Sequence, residues 1–225
     1  MRLSPGGNFG SVEWLRTVEL LMMNASKSIP EARKVDMSTI TTSTTPEDLL
    51  KLPDAERFEL VDGELVENPA MGGQAGWIAG RIVIALHEYE KSHGGWVFPD
   101  GVGYQCYAED PNRVRRPDVS YIAAGRLPND EIPEGHIRTV PDVVVEVVSP
   151  RDVYGDVETK VEEYLRAGVR LVWVFGSATR RVWIYPGSDR RAYSLTADDD
   201  LTGDDVLPKF SYPIANFFPN SQQSA

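Results

Sequence analysis

The chain has 225 residues, 41% of them hydrophobic and 25% charged, which is an ordinary composition for one globular domain with or without tails. Its formal net charge of −11 at pH 7 has the wrong sign for a protein that coats nucleic acid, but it does not exclude an enzyme with a local basic patch and an acidic metal site. The single cysteine, Cys106, excludes an intramolecular disulfide and a cysteine-based zinc site, and no apolar run has the length of a membrane span, so we expect a cytoplasmic protein.

The first 44 residues lack the regular patterning of the remainder. The stretch "SVEWLRTVELLMMN" is compatible with a short amphipathic helix, but the residues after it are polar, Thr-rich and turn-prone. We therefore expect an N-terminal arm at 1–44, disordered or loosely docked, and one domain at 45–225. Met37 stands just before the patterning begins, which leaves both Met1 and Met37 as candidate start residues.

Two helices and a hairpin are predicted in the first part of the domain. Thr45 is a suitable N-cap for a short helix with Pro46 at its first position. The dipeptide Asp62-Gly63, between two β-prone arms, predicts a tight hairpin. A stripe of apolar residues then predicts a helix over 77–91.

Strands are predicted at about 96–106, at 116–123 and at 141–149. A second amphipathic helix follows in "GDVETKVEEYLRAGV", with Asp156 as a plausible N-cap and Gly168 as a plausible C′ residue.

Two further strands, "LVWVFG" and "RVWIYP", are joined by a short loop and are antiparallel if they pair as a hairpin, and a last strand, "AYSLT", precedes an apolar tail. This order of elements predicts an α/β domain with a mixed central sheet flanked by helices.

One carboxylate falls inside an apolar strand. In "PDVVVEVVSPRD", Glu146 is surrounded by valines, and an ionised carboxylate there costs several kcal/mol unless a partner compensates it. Asp118, in "RPDVSYIA", converges with Glu146 if the two strands are neighbours. Each residue also has a possible structural role without function: Glu146 would have an ion-pair partner inside the sheet, and Asp118, like Asp142, would be a turn residue after proline.

A divalent cation would remove the repulsion between two such carboxylates. All-oxygen ligands, with few His or Cys residues in the chain, favour Mg²⁺ or Mn²⁺.

Lys160 and three arginines supply candidate cations. On the second helix Lys160 borders the apolar stripe, where a lysine often only extends to water. Arg113, Arg115 and Arg116 directly precede Asp118 and would either contact a nucleic-acid backbone or belong to a solvated loop.

Together these motifs resemble the PD-(D/E)xK nuclease superfamily and, more narrowly, the Uma-type family of "putative restriction endonucleases". The resemblance runs from about Thr45 to Phe218. It rests on the order and spacing of "FELVDGELVENPA", "RRPDVSYIA", "PDVVVEVVSPRD", "KVEEYLRAGVRLVWVF" and "VWIY". It implies a restriction-endonuclease-like fold and a Mg²⁺-dependent endonuclease that acts on DNA, and we expect a homodimer.

The resemblance implies metal binding by Asp118 and Glu146 and catalysis by both together with Lys160. The superfamily's usual lysine position, two residues after the Glu, holds Val148 here, and the Uma-type pattern takes the lysine from the following helix instead. Glu59 matches a further acidic position that assists the metal, unless it is a surface strand residue.

One position departs from the family pattern. Members often have a histidine early in the first long helix, where this chain has Gln74 and Ala75. Two alternatives therefore stand beside the endonuclease: a nuclease-like scaffold that binds without cutting, and a metal-dependent hydrolase of another phosphoester.

Overall fold

The computed structural model describes residues 44–150, 152–187 and 191–219, so the predicted arm lies outside the described residues except for Thr44. The helices are α1 (Pro46–Leu49), α2 (Gly73–His93) and α3 (Tyr154–Ala167), with short 3₁₀ turns at Ala55–Arg57, Pro128–Asp130 and Ile214–Phe217. The strands are β1 (Phe58–Val61), β2 (Glu64–Glu67), β3 (Trp96–Pro99), β4 (Val119–Ile122), β5 (Val143–Val148), β6 (Leu171–Gly176), β7 (Arg181–Pro186), β8 (Tyr193–Leu195), β9 (Asp200–Gly203) and β10 (Leu207–Pro213).

A six-stranded mixed sheet forms the centre of the fold, in the order β3–β4–β5–β6–β7–β8. The pair β5–β6 is parallel and is connected through α3, whereas the other neighbouring pairs are antiparallel. β5 and β6 are nearly continuous apolar runs because helices cover both faces of the sheet at its centre. The predicted α/β fold with a mixed central sheet is confirmed.

The two long helices pack on opposite faces of this sheet. Apolar residues of α2 pack against Val143, Val145 and Val147 of β5. Apolar residues of α3 pack against Val144, on the other face. Because strand residues alternate between faces, Glu146 lies on the same face as Val144 and is directed toward α3.

The predicted helix cap at Thr45, the tight turn at Asp62-Gly63 and the helix end at Gly168 are confirmed. Thr45 caps α1 in a capping box with Asp48, which satisfies free backbone donors of the first turn. Asp62 and Gly63 both have positive φ, 52° and 81°, as the tight turn between β1 and β2 requires. Gly168 ends α3 in the left-handed conformation, with φ of 99°.

Several predicted boundaries are wrong. The helix predicted over 77–91 spans Gly73–His93, and the strands predicted over 116–123 and 141–149 are shorter, at Val119–Ile122 and Val143–Val148. The strand predicted over 96–106 ends at Pro99, and the chain then makes only isolated bridges through Tyr104. The helix predicted to start after Asp156 begins three residues earlier, with Val153 at the N-cap position and no side-chain cap, so Asp156 lies inside the first turn. An acidic residue in the first turn still interacts favourably with the helix dipole.

The hairpin of β9 and β10 was not predicted. Aspartates flank its first arm, the second arm contains Pro208, and the register shifts between Leu207 and Ser211, so the alternating pattern of a strand is interrupted.

Asp142 is more than a turn residue. Its side chain is buried and accepts a hydrogen bond from the backbone N–H of Ala123 at 2.8 Å. It also forms ion pairs with Arg126 at 2.7 Å and Arg170 at 3.4 Å. The carboxylate therefore links the start of β5 to the segment after β4 and to the residue before β6.

No helix in the three described segments combines the length and the apolar character that crossing a membrane requires.

Candidate active site

Asp118, the residue immediately before β4, lies beside Glu146 of β5. β4 and β5 are antiparallel with Val119 opposite Val145, and the same register, continued by one residue, pairs Asp118 with Glu146. The backbone N–H of Val147 donates a hydrogen bond to Oδ2 of Asp118, which holds this carboxylate against β5. The sheet thus brings together the two carboxylates that the sequence analysis singled out.

This pair of carboxylates is electrostatically unfavourable on its own. Burial and the neighbouring charge of Glu146 raise the pKa of Asp118 well above its usual value. Burial also raises the pKa of Glu146, although the Lys160 ammonium and the Tyr164 hydroxyl partly offset the effect. Such a pair is stabilised by a proton or by a cation bound between the two groups.

Lys160 faces the carboxylates rather than solvent. Its side chain is 17% exposed, and Nζ lies 3.0 Å from Oε1 of Glu59 and 3.9 Å from Oε2 of Glu146. Burial alone would lower the pKa of the ammonium, but Glu146 and Glu59 raise it above its usual value. The interpretation of Lys160 as a side chain that only extends to water is therefore wrong.

Glu59 is a fully buried residue of β1, not a surface strand residue. Besides its contact with Lys160, it accepts hydrogen bonds from Nη1 of Arg115 at 2.8 Å and from the backbone N–H of Arg116 at 2.9 Å. Burial raises the pKa of Glu59, but the charges of Lys160 and Arg115 and these hydrogen bonds bring it below its usual value. Glu59 is therefore ionised and orients the ammonium of Lys160.

The three arginines before Asp118 all have partners within the protein. Arg115 is buried and bridges Glu59 to Glu163, whose Oε2 lies 2.6 Å from Nε of Arg115. The Arg116 guanidinium donates to two backbone carbonyl oxygens, those of Phe58 and Gly101.

Arg113 forms ion pairs with Asp62 at 2.7 Å and with Glu163 at 2.9 Å. All three arginines contact the β1–β2 hairpin; Arg113 and Arg115 also contact α3, and Arg116 also contacts the loop after β3. Nucleic-acid binding by these arginines stays a prediction.

Two residues of this network were missed from the sequence. Tyr164 donates a hydrogen bond from its hydroxyl to Oε1 of Glu146 at 2.7 Å, and Glu163 is the second partner of Arg115. From the sequence alone, Tyr164 is one of the apolar residues at helical spacing in "GDVETKVEEYLRAGV". A buried tyrosine requires a partner for its hydroxyl, and the unexplained carboxylate of Glu146 was a candidate for it.

The position where the family often has a histidine lies at the start of α2. Gln74 is exposed there and donates from Nε2 to the backbone oxygen of Ser177 at 3.4 Å, and Ala75 is buried. The histidines bond elsewhere: His136 with Pro46, His87 with Glu90 and His93 with Tyr89. The carboxylate pair therefore has no histidine partner among the described residues.

The donor set fits a hard divalent cation better than a soft one. Asp118 and Glu146 offer only carboxylate oxygens, and Oδ1 of Asp118 accepts no hydrogen bond from any described residue. Groups of three or more His, Cys, Asp or Glu side chains suited to a metal do not occur in the described segments. Mg²⁺ is commonly held by one or two carboxylates, with water and substrate phosphate as its other ligands, so two carboxylates are a sufficient protein contribution.

The six-stranded mixed sheet, with helices on both faces and a carboxylate pair beside a lysine, defines a restriction-endonuclease-like α/β protein. The chain belongs to the Uma2 family, described as "Putative restriction endonuclease", whose model matches residues 46–215. This membership is consistent with the PD-(D/E)xK superfamily.

Among solved structures, the chain resembles a crystal structure described as a putative nuclease belonging to DUF820, from Anabaena variabilis ATCC 29413. The TM-score is 0.65 and the sequence identity 19%, and the match covers 78% of this chain and 97% of the other. At this identity the likeness supports the fold alone. No curated protein sequence matches the chain.

Proposed function

We propose that this protein is a Mg²⁺-dependent endonuclease that hydrolyses phosphodiester bonds in DNA. The observation that carries the proposal is the carboxylate pair of Asp118 and Glu146, with the ammonium of Lys160 3.9 Å from Glu146. A purely structural sheet gains nothing from two buried carboxylates side by side, whereas a metal-dependent hydrolase requires them.

Asp118 and Glu146 would hold Mg²⁺, or Mn²⁺ in its place. When bound, such an ion polarises the scissile phosphate and lowers the pKa of a water molecule that attacks it. The two side chains come from a β-strand and from the residue preceding one, so their separation is fixed by the sheet rather than by a loop.

Lys160 would stabilise negative charge that develops on the phosphate oxygens and would orient the attacking water. This role requires a protonated lysine, and the raised pKa of Lys160 keeps it protonated at neutral pH. Glu59 supports that role by holding the ammonium at 3.0 Å, and we propose that this is how Glu59 assists the reaction.

The family description, "Putative restriction endonuclease", supports DNA as the proposed substrate, whereas the overall charge of −11 does not. The cytoplasm as the location and a homodimer as the assembly belong to the same proposal. Two-fold dimers are the commonest protein oligomers, and a dimer would offer one site to each strand of a duplex.

A second candidate is a nuclease-like scaffold that binds nucleic acid or a partner without cutting. Two observations favour it: Lys160 is already ion-paired with Glu59, and Gln74 stands where family members often have a histidine. A third candidate, hydrolysis of another phosphoester, requires the same site.

The test is an activity assay of the full chain with and without Mg²⁺, and with Mn²⁺. Substrates are supercoiled plasmid, linear duplex, single-stranded DNA and a small chromogenic phosphodiester. Metal-dependent nicking of plasmid supports the proposal, and turnover of the small ester alone would indicate the third candidate. Metal binding without cleavage of any substrate would reject the endonuclease in favour of the scaffold. Sedimentation of the same sample measures the oligomeric state.

A further inference from the structure

Helix α3 presents two polar groups to the same carboxylate from consecutive turns. Lys160 and Tyr164 are four residues apart and therefore lie on one side of the helix. Nζ of Lys160 is 3.9 Å from Oε2 of Glu146, and the hydroxyl of Tyr164 donates to Oε1 of Glu146 at 2.7 Å. The two oxygens of Glu146 are thus distinguished by their neighbours.

The position of the Tyr164 hydroxyl is fixed by packing. The side chain is 2% exposed and belongs to the apolar cluster between α3 and the sheet, together with Val144, Val161 and Val172. A phenol ring has only two rotatable bonds, so a packed ring leaves its hydroxyl little freedom. A hydroxyl held in this way restricts the rotation of the carboxylate that accepts its hydrogen bond.

A neutral donor suits this place better than a second cation. The Tyr164 hydroxyl satisfies one oxygen of a buried carboxylate without neutralising the charge that would attract a metal ion. Within the described residues, Oε2 makes the longer contact with Lys160 and no hydrogen bond, so it is available as a ligand. Ligating carboxylates are commonly held in this manner by a hydrogen bond to their other oxygen.

We propose that Tyr164 is a positioning residue, which holds Glu146 with Oε1 occupied and Oε2 presented to the divalent cation. The inference rests on the proposed function, because it takes Glu146 to be a metal ligand. Tyr164 itself contacts neither the metal nor the DNA.

The test compares Tyr164→Phe with a matched control, Tyr104→Phe. Tyr104 is equally buried, and its hydroxyl shares a 2.6 Å hydrogen bond with Ser120 Oγ rather than with either carboxylate of the pair. Each substitution removes one buried hydroxyl and keeps the ring. Affinity for Mn²⁺ is measured by calorimetric titration of the full chain, and the melting temperature is measured without metal.

We expect Tyr164→Phe to bind Mn²⁺ at least about tenfold more weakly than the wild type, which is the lower end of the usual range for such a substitution. Tyr104→Phe should bind Mn²⁺ with unchanged affinity. The melting temperatures of Tyr104→Phe and Tyr164→Phe without metal should both fall, by similar amounts. Cleavage by Tyr164→Phe should recover at raised Mg²⁺, because the substitution weakens metal binding and leaves Lys160 in place.

Unchanged Mn²⁺ affinity in Tyr164→Phe would overturn the inference, and so would an equal loss in Tyr104→Phe. These outcomes are distinct from failure of the proposed function. A wild type that binds Mn²⁺ but cuts no DNA rejects the endonuclease and leaves the Tyr164 comparison intact. A wild type that binds no Mn²⁺ rejects both.

Discussion

The ammonium of Lys160 lies 3.0 Å from Oε1 of Glu59, which joins a helix of the central α/β unit to the N-terminal hairpin. Glu59 is fully buried and keeps its charge through Lys160 and Arg115. The hairpin of β1 and β2 is therefore part of the candidate site, because it fixes the lysine that faces Glu146.

The first prediction concerns Glu146→Gln. Glutamine retains an oxygen that accepts the hydrogen bond from Tyr164, but it removes a buried negative charge next to Asp118. We expect the metal-free variant to be as stable as the wild type or more stable, and to lose Mn²⁺ binding. Thermal melts without metal and calorimetric titration with Mn²⁺ measure the two effects.

The matched control is Glu158→Gln on the exposed side of α3, which should change neither property. Unaltered Mn²⁺ affinity in Glu146→Gln, or collapse of its metal-free fold, would contradict the assignment of Glu146 as a metal ligand.

The second prediction concerns Arg115→Met. Methionine fills much of the volume but leaves Glu59 and Glu163 without their shared partner, and removing one member of a buried ion pair costs about 3–5 kcal/mol. We expect a loss of this size in the free energy of unfolding, measured by urea denaturation.

Arg138→Met is the control, because Arg138 is 74% exposed and its contact with Glu47 is long, at 3.7 Å. Its effect should stay within about 0.5 kcal/mol. A similarly small effect of Arg115→Met would show that the buried network is not needed for the fold.

The third prediction is a pH dependence of stability in the absence of metal. Because the pKa of Glu146 is raised in the folded state, the folded protein binds a proton more readily than the unfolded chain. The stability of the wild type relative to Glu146→Gln should fall as pH rises from the ordinary value of 4.5 through the raised pKa of the folded state.

Glu59 should behave in the opposite way, since its folded-state pKa is lowered. Its contribution is present above the ordinary value of 4.5 and is lost as pH falls through the folded-state pKa. Urea unfolding of wild type, Glu146→Gln and Glu59→Gln across this pH range tests both signs. If the free energies of unfolding of Glu146→Gln and Glu59→Gln, relative to the wild type, changed with pH in the same direction, this interpretation would be contradicted.

The fourth prediction concerns the N-terminal arm, which lies outside the described residues. The family match begins at residue 46 and the first helix cap is Thr45, so a chain that starts at Met37 contains the whole matched domain. We expect it to be soluble and to melt within about 4 °C of the full chain. Aggregation of the shortened chain would show that residues 1–36 cover apolar surface.

The carboxylate pair could be predicted from the sequence because the pattern that identifies it is confined to two short segments. An acidic residue in an apolar strand stands out, and alternation along β4 and β5 assigns Glu146 and Asp118 to faces. The tight turn at Asp62-Gly63 was accessible for the same reason, since two adjacent residues specify it.

The buried ion pairs of Glu59, Arg115 and Glu163 could not be predicted in this way. Whether Arg115 contacts solvent, DNA or Glu163 depends on how the hairpin docks against α3, and no periodicity encodes that contact. The position of Lys160 is a similar case: helical geometry put it at the margin of the apolar stripe, and only the location of Glu59 on a distant strand determines which way it turns.

Cleavage by Lys160→Ala shows whether Asp118, Glu146 and Lys160 form a hydrolytic site, as proposed. Lys160 is not a metal ligand in this account, and its charge acts mainly in the transition state. The comparison is plasmid cleavage in Mg²⁺ together with Mn²⁺ titration. It uses the wild type, Lys160→Ala, Lys160→Arg and the control Lys91→Ala, which alters an exposed residue in the last turn of α2.

We predict that Lys160→Ala binds Mn²⁺ but loses nearly all cleavage. Lys160→Arg should substitute poorly, because a planar guanidinium differs from a compact ammonium. Lys91→Ala should cut like the wild type. Cleavage by Lys160→Ala at the wild-type rate would contradict the account and remove Lys160 from the site.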